Sequence, residues 1–178
     1  MNDHDPYLIP FKGLSAGTHS FEWTVGKDFF AAYAASEIND ADIRVKVTLG
    51  KHPQFLEVDI VMEGWAEVEC DRCLHPLSVD IETEAKLYAR FDSLSVKDDS
   101  EGDDVVILSH DENELDMTHY LYEYAHLALP IRRVHPDDQT GKSMCDGEMI
   151  KRLETYLVKE NASGGDPRWN DLKHIFEN

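Results

Sequence analysis

At 178 residues and 42% hydrophobic, the chain can bury one sizeable core, so a single domain with peripheral tails is expected. Lys and Arg number 17 against 36 Asp and Glu, and the resulting net charge of −19 opposes binding to RNA or anionic membrane unless one face is locally basic. Basic proteins are the natural partners of such a field, although net negative charge also serves plain solubility.

The start, Met1 to Tyr7, lacks a basic stretch followed by an apolar one, and no later window is apolar enough to span a bilayer. A cytoplasmic protein with no membrane contact is expected. In that reducing compartment three cysteines read as a metal site, a redox site or core thiols rather than as disulfides.

Residues 1–16 read as an N-terminal extension of the single domain 1–178. The partial alternation of Phe21, Trp23 and Val25 predicts a strand over 18–25. Asp28 then caps a predicted short helix in which Phe29, Phe30 and Tyr33 fall on one side among four alanines. From Ile43 the period becomes two. Ile43, Val45, Val47 and Leu49 face inward, and after Gly50-Lys51-His52-Pro53-Gln54 the parity flips to Leu56, Val58, Ile60, Met62, Ala66 and Val68. A hairpin results, and pairing numbers that sum to 103 would set Lys46 opposite Glu57 and Arg44 opposite Asp59.

Parity flips again after Cys70-Asp71-Arg72-Cys73, with Leu77, Val79, Ile81, Ala85, Leu87, Ala89 and Phe91 inward, so Cys70 to Pro76 reads as a second hairpin connection. The exposed face of its two strands is then acidic. Glu57, Asp59, Glu63 and Glu67 stand there with Trp65 in their midst, a candidate partner-binding set unless another element covers the indole.

No Lys or Arg occurs between Asp98 and Ile131, where an acidic loop surrounds a short predicted strand, Val105 to Leu108. Asp116 is the predicted N-cap of a helix through Leu121, Tyr124 and Ala125 that Pro130 ends, and Glu123 joins the candidate acidic contacts. The sheet core plus this helix spans 17–130, and 131–178 is a C-terminal helical region. It holds an amphipathic helix over 146–160 and a short one after Asp166-Pro167.

Two thiols two residues apart in a tight turn can point at one tetrahedral metal. Cys70 and Cys73 supply that half, and Cys145 with His135 or His75 would complete a three-sulfur, one-nitrogen zinc site if the loop after Pro130 folds back. Two rival readings stay open: a redox dithiol at Cys70 and Cys73, which lacks a helix dipole to lower a thiol pKa, and compact edge thiols that bind nothing. No nucleophile elbow, phosphate loop or paired metal histidines occur in the sequence, so a non-enzymatic protein is expected.

Three motifs together resemble the YceD family, described as large ribosomal RNA subunit accumulation proteins: Cys70-Asp71-Arg72-Cys73-Leu74; Glu123 to Pro130 with His135 and Cys145 beyond it; and Asp166-Pro167-Arg168-Trp169 with Leu172. The resemblance runs from about Gly17 to Phe176. It implies a role in large-subunit ribosomal RNA accumulation without established catalysis. Family members commonly carry a second cysteine group after the Leu-Pro segment, and only Cys145 of it is present here.

The expected fold is α+β: an antiparallel meander of about five strands, curled toward a barrel, with a short N-terminal helix and two to three C-terminal helices. The expected function is binding of a basic ribosomal protein or assembly factor through the acidic surface. The alternatives are direct RNA binding through a basic patch at Arg132, Arg133, Lys142, Lys151 and Arg152, or thiol redox chemistry at Cys70 and Cys73.

Overall fold

A computed structural model describes residues 7–91, 105–109 and 111–157. The acidic stretch from Asp98 to Asp104 and the terminal segment with the expected last helix lie outside them.

The architecture is α+β. Strands β2 (Gly17–Gly26), β3 (Asp40–Lys51), β4 (Phe55–Glu69), β5 (Pro76–Phe91) and β6 (Val105–Leu108) form one sheet in that order. Helix α1 (Lys27–Ala31) links β2 to β3, and α2 (Thr118–Leu127) and α3 (Gly147–Tyr156) follow the sheet. A second ladder of two residues per strand joins β1 (Leu8–Ile9) to β7 (Leu115–Asp116).

Period-two alternation makes the long strands and decides which face is dry. Ile43, Val45, Val47 and Leu49 of β3 meet Leu56, Val58, Ile60 and Met62 of β4 and Ile81, Leu87 and Ala89 of β5 in a single buried cluster. Covering that face are Ile9, Phe11, Phe30, Met117, Leu121 and Ala125, so the short N-terminal ladder and α2 lie on the apolar side. The opposite face is left to charged side chains.

Three expectations change. The sheet does not close into a barrel, because β2 and β6 each pair with one neighbour only among the described residues. Nor is it wholly antiparallel, since β6 runs parallel to β5, with Tyr88 beside Val105 and Phe91 beside Leu108. Four consecutive apolar residues carry no information about strand direction.

The β3–β4 register is the third. Partners sum to 107 rather than 103, placing Arg44 opposite Glu63, Thr48 opposite Asp59 and Lys46 opposite Val61. Pro53 explains the shift: in the register summing to 103 it would stand opposite Gly50 and enter the ladder without an N–H, whereas here Pro53 and Gln54 form the tip and the His52 N–H donates to the Phe55 carbonyl at 3.0 Å. Inward parity is unaffected, because the two registers differ by an even number.

Local capping differs in the same informative way. Helix α1 is a five-residue turn whose cap position is Gly26, and Asp28 lies inside its first turn, not before it. Ser36 closes the loop after it by accepting from the Ile38 N–H at 3.2 Å. The cap position of α2 is Met117 rather than Asp116, whose carboxylate still accepts from the Thr118 N–H at 2.8 Å, and in α3 the Asp146 carboxylate caps the Met149 N–H at 2.8 Å.

Candidate functional site

The β4–β5 connection, Cys70 to His75, is a tight knuckle. The Leu74 N–H donates to the Cys70 carbonyl at 2.9 Å and the Cys70 N–H to the His75 carbonyl at 3.0 Å. This curls the chain so that Cys70 and Cys73 both point inward, fully buried. The segment after Pro130 does fold back over the knuckle. The Asp71 N–H donates to the Arg133 carbonyl at 2.7 Å, and the Arg133 N–H returns a bond to the Asp71 carboxylate at 2.7 Å. The Arg133 guanidinium also reaches Glu37 at 2.8 Å, which holds that carboxyl below the ordinary range.

That docking brings His135 and Cys145 onto the two thiols. The donor atoms of Cys70, Cys73, His135 and Cys145 all lie within 4.8 Å of one another. The Cys70 and Cys145 sulfurs are 3.9 Å apart, and the Cys73 sulfur lies 3.4 Å from His135 Nδ1. A tetrahedral ion with sulfur at about 2.3 Å and nitrogen at about 2.0 Å would set its ligand atoms roughly 3.5–3.8 Å apart, so the spacing suits one. His135 Nε2 lies 3.0 Å from the Pro76 carbonyl, a contact that requires the proton on Nε2 and leaves Nδ1 free to ligate. The group could therefore hold a metal ion. His75, the other candidate fourth ligand, is exposed and contributes only backbone.

The electrostatics of the thiols follow from the turn. Burial opposes ionisation of Cys70, yet the N–H groups of Cys73, Arg72 and His135 aimed at its sulfur outweigh this and bring its pKa to about 6. For Cys73, burial and the neighbouring sulfurs of Cys70 and Cys145 win over N–H bonds from Asp146 and His75, and its pKa is raised. Two strands flank Cys70 and Cys73, as the alternation requires, but the absence of a helix dipole does not hold for the whole cluster: Cys145 immediately precedes the Asp146 cap of α3. Sequence alone hides this, because the helix belongs to a remote segment.

The acidic candidates divide. Glu57, Asp59, Glu63, Trp65 and Glu67 all lie on the outer face of β4. Lys86 of β5 bridges Glu57 at 2.7 Å and Asp59 at 3.0 Å, so that end is locally neutralised, and the Glu57 carboxyl is held below its ordinary range by Lys86. Beyond it Glu63 has Arg44 of β3 on one side and Glu82 of β5 on the other, and the negative charge accumulates at Trp65, which stands between Asp42 on β3 and Asp80 on β5, and at Glu67, opposite Asp40. Trp65 is 38% exposed, and no described element covers it as a core residue would be covered. Glu123 stands apart: α2 packs on the inward face of the sheet, and this residue meets His119 at 2.9 Å. It is not part of the outer acidic face.

The basic candidates are dispersed in function. Arg133 is engaged by Glu37 and Asp71, and Lys151 by Glu148 at 3.1 Å, while Arg132 and Lys142 are exposed. The roles of Arg133 as a fastener and of Pro76 as the second partner of His135 carry no sequence signal, since both depend on the fold-back.

Among the described residues no helix is long and apolar enough to cross a membrane. No curated protein and no solved structure matches the chain. Residues 58–176 match the family model of the large ribosomal RNA subunit accumulation protein YceD, a span that contains the knuckle, both remote members of the Cys and His group and most of the acidic strand pair, and the chain belongs to the YceD family.

Proposed function

We propose that this protein is a non-enzymatic factor that supports accumulation of large-subunit ribosomal RNA by holding a basic ribosomal protein or assembly factor on its outer sheet face. The observation that carries this is the acidic end of that face beyond the Arg44–Glu63 pair, where Trp65 stands exposed between Asp42 and Asp80 and Glu67 lies opposite Asp40. An aromatic surrounded by carboxylates suits a cationic side chain laid over the ring. The family description supports the ribosomal context.

The test is titration against a panel of purified basic large-subunit ribosomal proteins. At least one should bind the wild type at low salt, with affinity falling steeply as salt rises, and Glu63→Lys with Glu67→Lys should weaken it by roughly tenfold. If none binds at low salt, the mechanism fails. Binding of large-subunit RNA that is lost in Arg132→Ala would instead favour the direct RNA reading, although the engagement of Arg133 by two carboxylates weighs against it.

The same reading assigns zinc to Cys70, Cys73, Cys145 and His135, because three soft thiolates and one imidazole at tetrahedral spacing are a donor set that zinc prefers. When bound, the ion supplies coordinate bonds that tie the hairpin tip to the segment after Pro130. The residues themselves do the rest: Pro76 orients His135, and Asp71 with Glu37 hold Arg133. All three thiols are enclosed rather than presented to a substrate, which disfavours a redox role.

A further inference from the structure

Leu74 combines two features that rarely coincide. Its backbone lies in the left-handed region, with φ +60°, and its side chain is 59% exposed. The knuckle accounts for the first: the chain must reverse after Cys73 for the Leu74 N–H to reach the Cys70 carbonyl. Gly or Asn would adopt that conformation with less strain. Nothing in the turn accounts for the isobutyl group, which neither fills the core nor meets solvent favourably.

Other large apolar side chains are exposed at the same end of the molecule. Met144 directly precedes Cys145, and Ile131 lies two residues before Arg133, whose backbone is bonded to Asp71 of the knuckle. Beside Leu74 runs a groove of about 410 Å³ whose charged lining is Glu37, Glu69, Asp71 and Arg133, three carboxylates to one cation. Glu69 extends the outward row of Trp65 and Glu67 along β4, so the acidic face continues into this groove.

The charge selects the occupant. A second copy of a chain at −19 is repelled, as is RNA, whereas a polypeptide segment rich in Lys or Arg is attracted. We infer that Leu74 is the apolar anchor of the docking surface, meeting a large aliphatic side chain that is flanked by basic residues in the partner. This rests on the basic-partner reading and adds to it a single contact residue at the metal end. An anchor of this kind, ringed by polar groups that exclude water, concentrates affinity in one position.

Two short lysine-rich peptides of equal charge, one with a central Leu-Leu pair and one with Ser-Ser, test it on the full, metal-loaded chain. Wild type should prefer the leucine peptide by about tenfold. Leu74→Gly and Leu74→Asn should reduce that preference to within about twofold while melting temperature and metal content stay at or above wild type, since both residues suit the backbone. A preference that survives in both variants overturns the anchor. Equal binding of the two peptides to wild type overturns the anchor and leaves the basic-partner reading standing; binding of neither removes both. A large-subunit RNA fragment whose binding depends on Leu74 would also overturn it, by naming a different class of partner.

Discussion

Replacing Cys73 by Ala should release the metal and loosen the C-terminal segment while leaving the sheet folded. Cys73 is one of the four side chains proposed to hold the ion, and with three left an open coordination position would lower affinity sharply. The strands β2 to β5 keep their own continuous core, so their cooperative unfolding should change little. Segment 131–157 is different, because outside the Cys and His group it adds only the half-buried Val134, Met149 and Ile150 to the core and much of the fastening falls to the Arg133 contacts and that group. Limited trypsin digestion is the readout, with Arg132, Lys142, Lys151 and Arg152 as exposed sites. Cleavage there should accelerate at least about tenfold, the equivalent of roughly 1.4 kcal/mol of local opening. A strong chelator should bring wild type to the same rate and leave the variant unaffected. Elemental analysis of protein purified without chelator should find about one zinc per chain in wild type and almost none in the variant. Wild type without metal, and with chelator-insensitive cleavage, would show that the thiols are compact core side chains and nothing more.

The Cys and His group also shows which kinds of information a sequence carries. Spacing alone selects Cys70 and Cys73, because a turn that must aim two thiols inward has few lengths available. His135 and Cys145 are legible as chemistry but not as neighbours. Their approach depends on Asp71 and Arg133 exchanging two backbone-directed bonds across the fold, and an Asp and an Arg in a chain of this charge announce nothing. Conversely, the elements adjacent to Cys70 and Cys73 are strands without a helix dipole, and α3 enters from a distance of some seventy residues in sequence.

The sheet divides similarly. Alternation identifies the faces of β3, β4 and β5 correctly because one face is buried and the pattern has a period of two. It is blind to slips by an even number, so the choice between sums of 103 and 107 falls to the turn, where Pro53 decides. Pairing Lys46 with Glu57 and Arg44 with Asp59 is attractive electrostatically, yet exposed cross-strand pairs contribute only about 0.2–1 kcal/mol each and yield to backbone geometry. The consequence reaches the candidate interface: Lys86, rather than a cation of β3, neutralises Glu57 and Asp59, and the free negative charge gathers nearer Trp65.

Gly64 governs how closely β3 and β4 approach beside that indole, and Gly64→Ala should be the most damaging small substitution in the sheet. It occupies an inward parity position between Met62 and Ala66, where an apolar side chain would ordinarily stand. Its φ is +158°, and a Cβ placed there would run into the Asp42 carbonyl and the Ile43 Cα, both backbone atoms that cannot turn aside. Overpacking against backbone costs about 1–3 kcal/mol, and the unfavourable φ adds about 1–2 kcal/mol for an L-residue. The loss should therefore be on the order of 3 kcal/mol, lowering the melting temperature by roughly 6–12 °C for a chain of this size. Because Asp42 flanks Trp65 across the ladder, the displaced strand should also shift tryptophan fluorescence in the folded protein. Ala66→Gly, two residues along on the same face, provides the contrast: it removes a methyl without forcing backbone apart, and it should cost about 1 kcal/mol and leave the Trp65 signal in place. Equal stability of Gly64→Ala and wild type would mean that β3 and β4 are not in the close register that sets Asp42 beside Trp65.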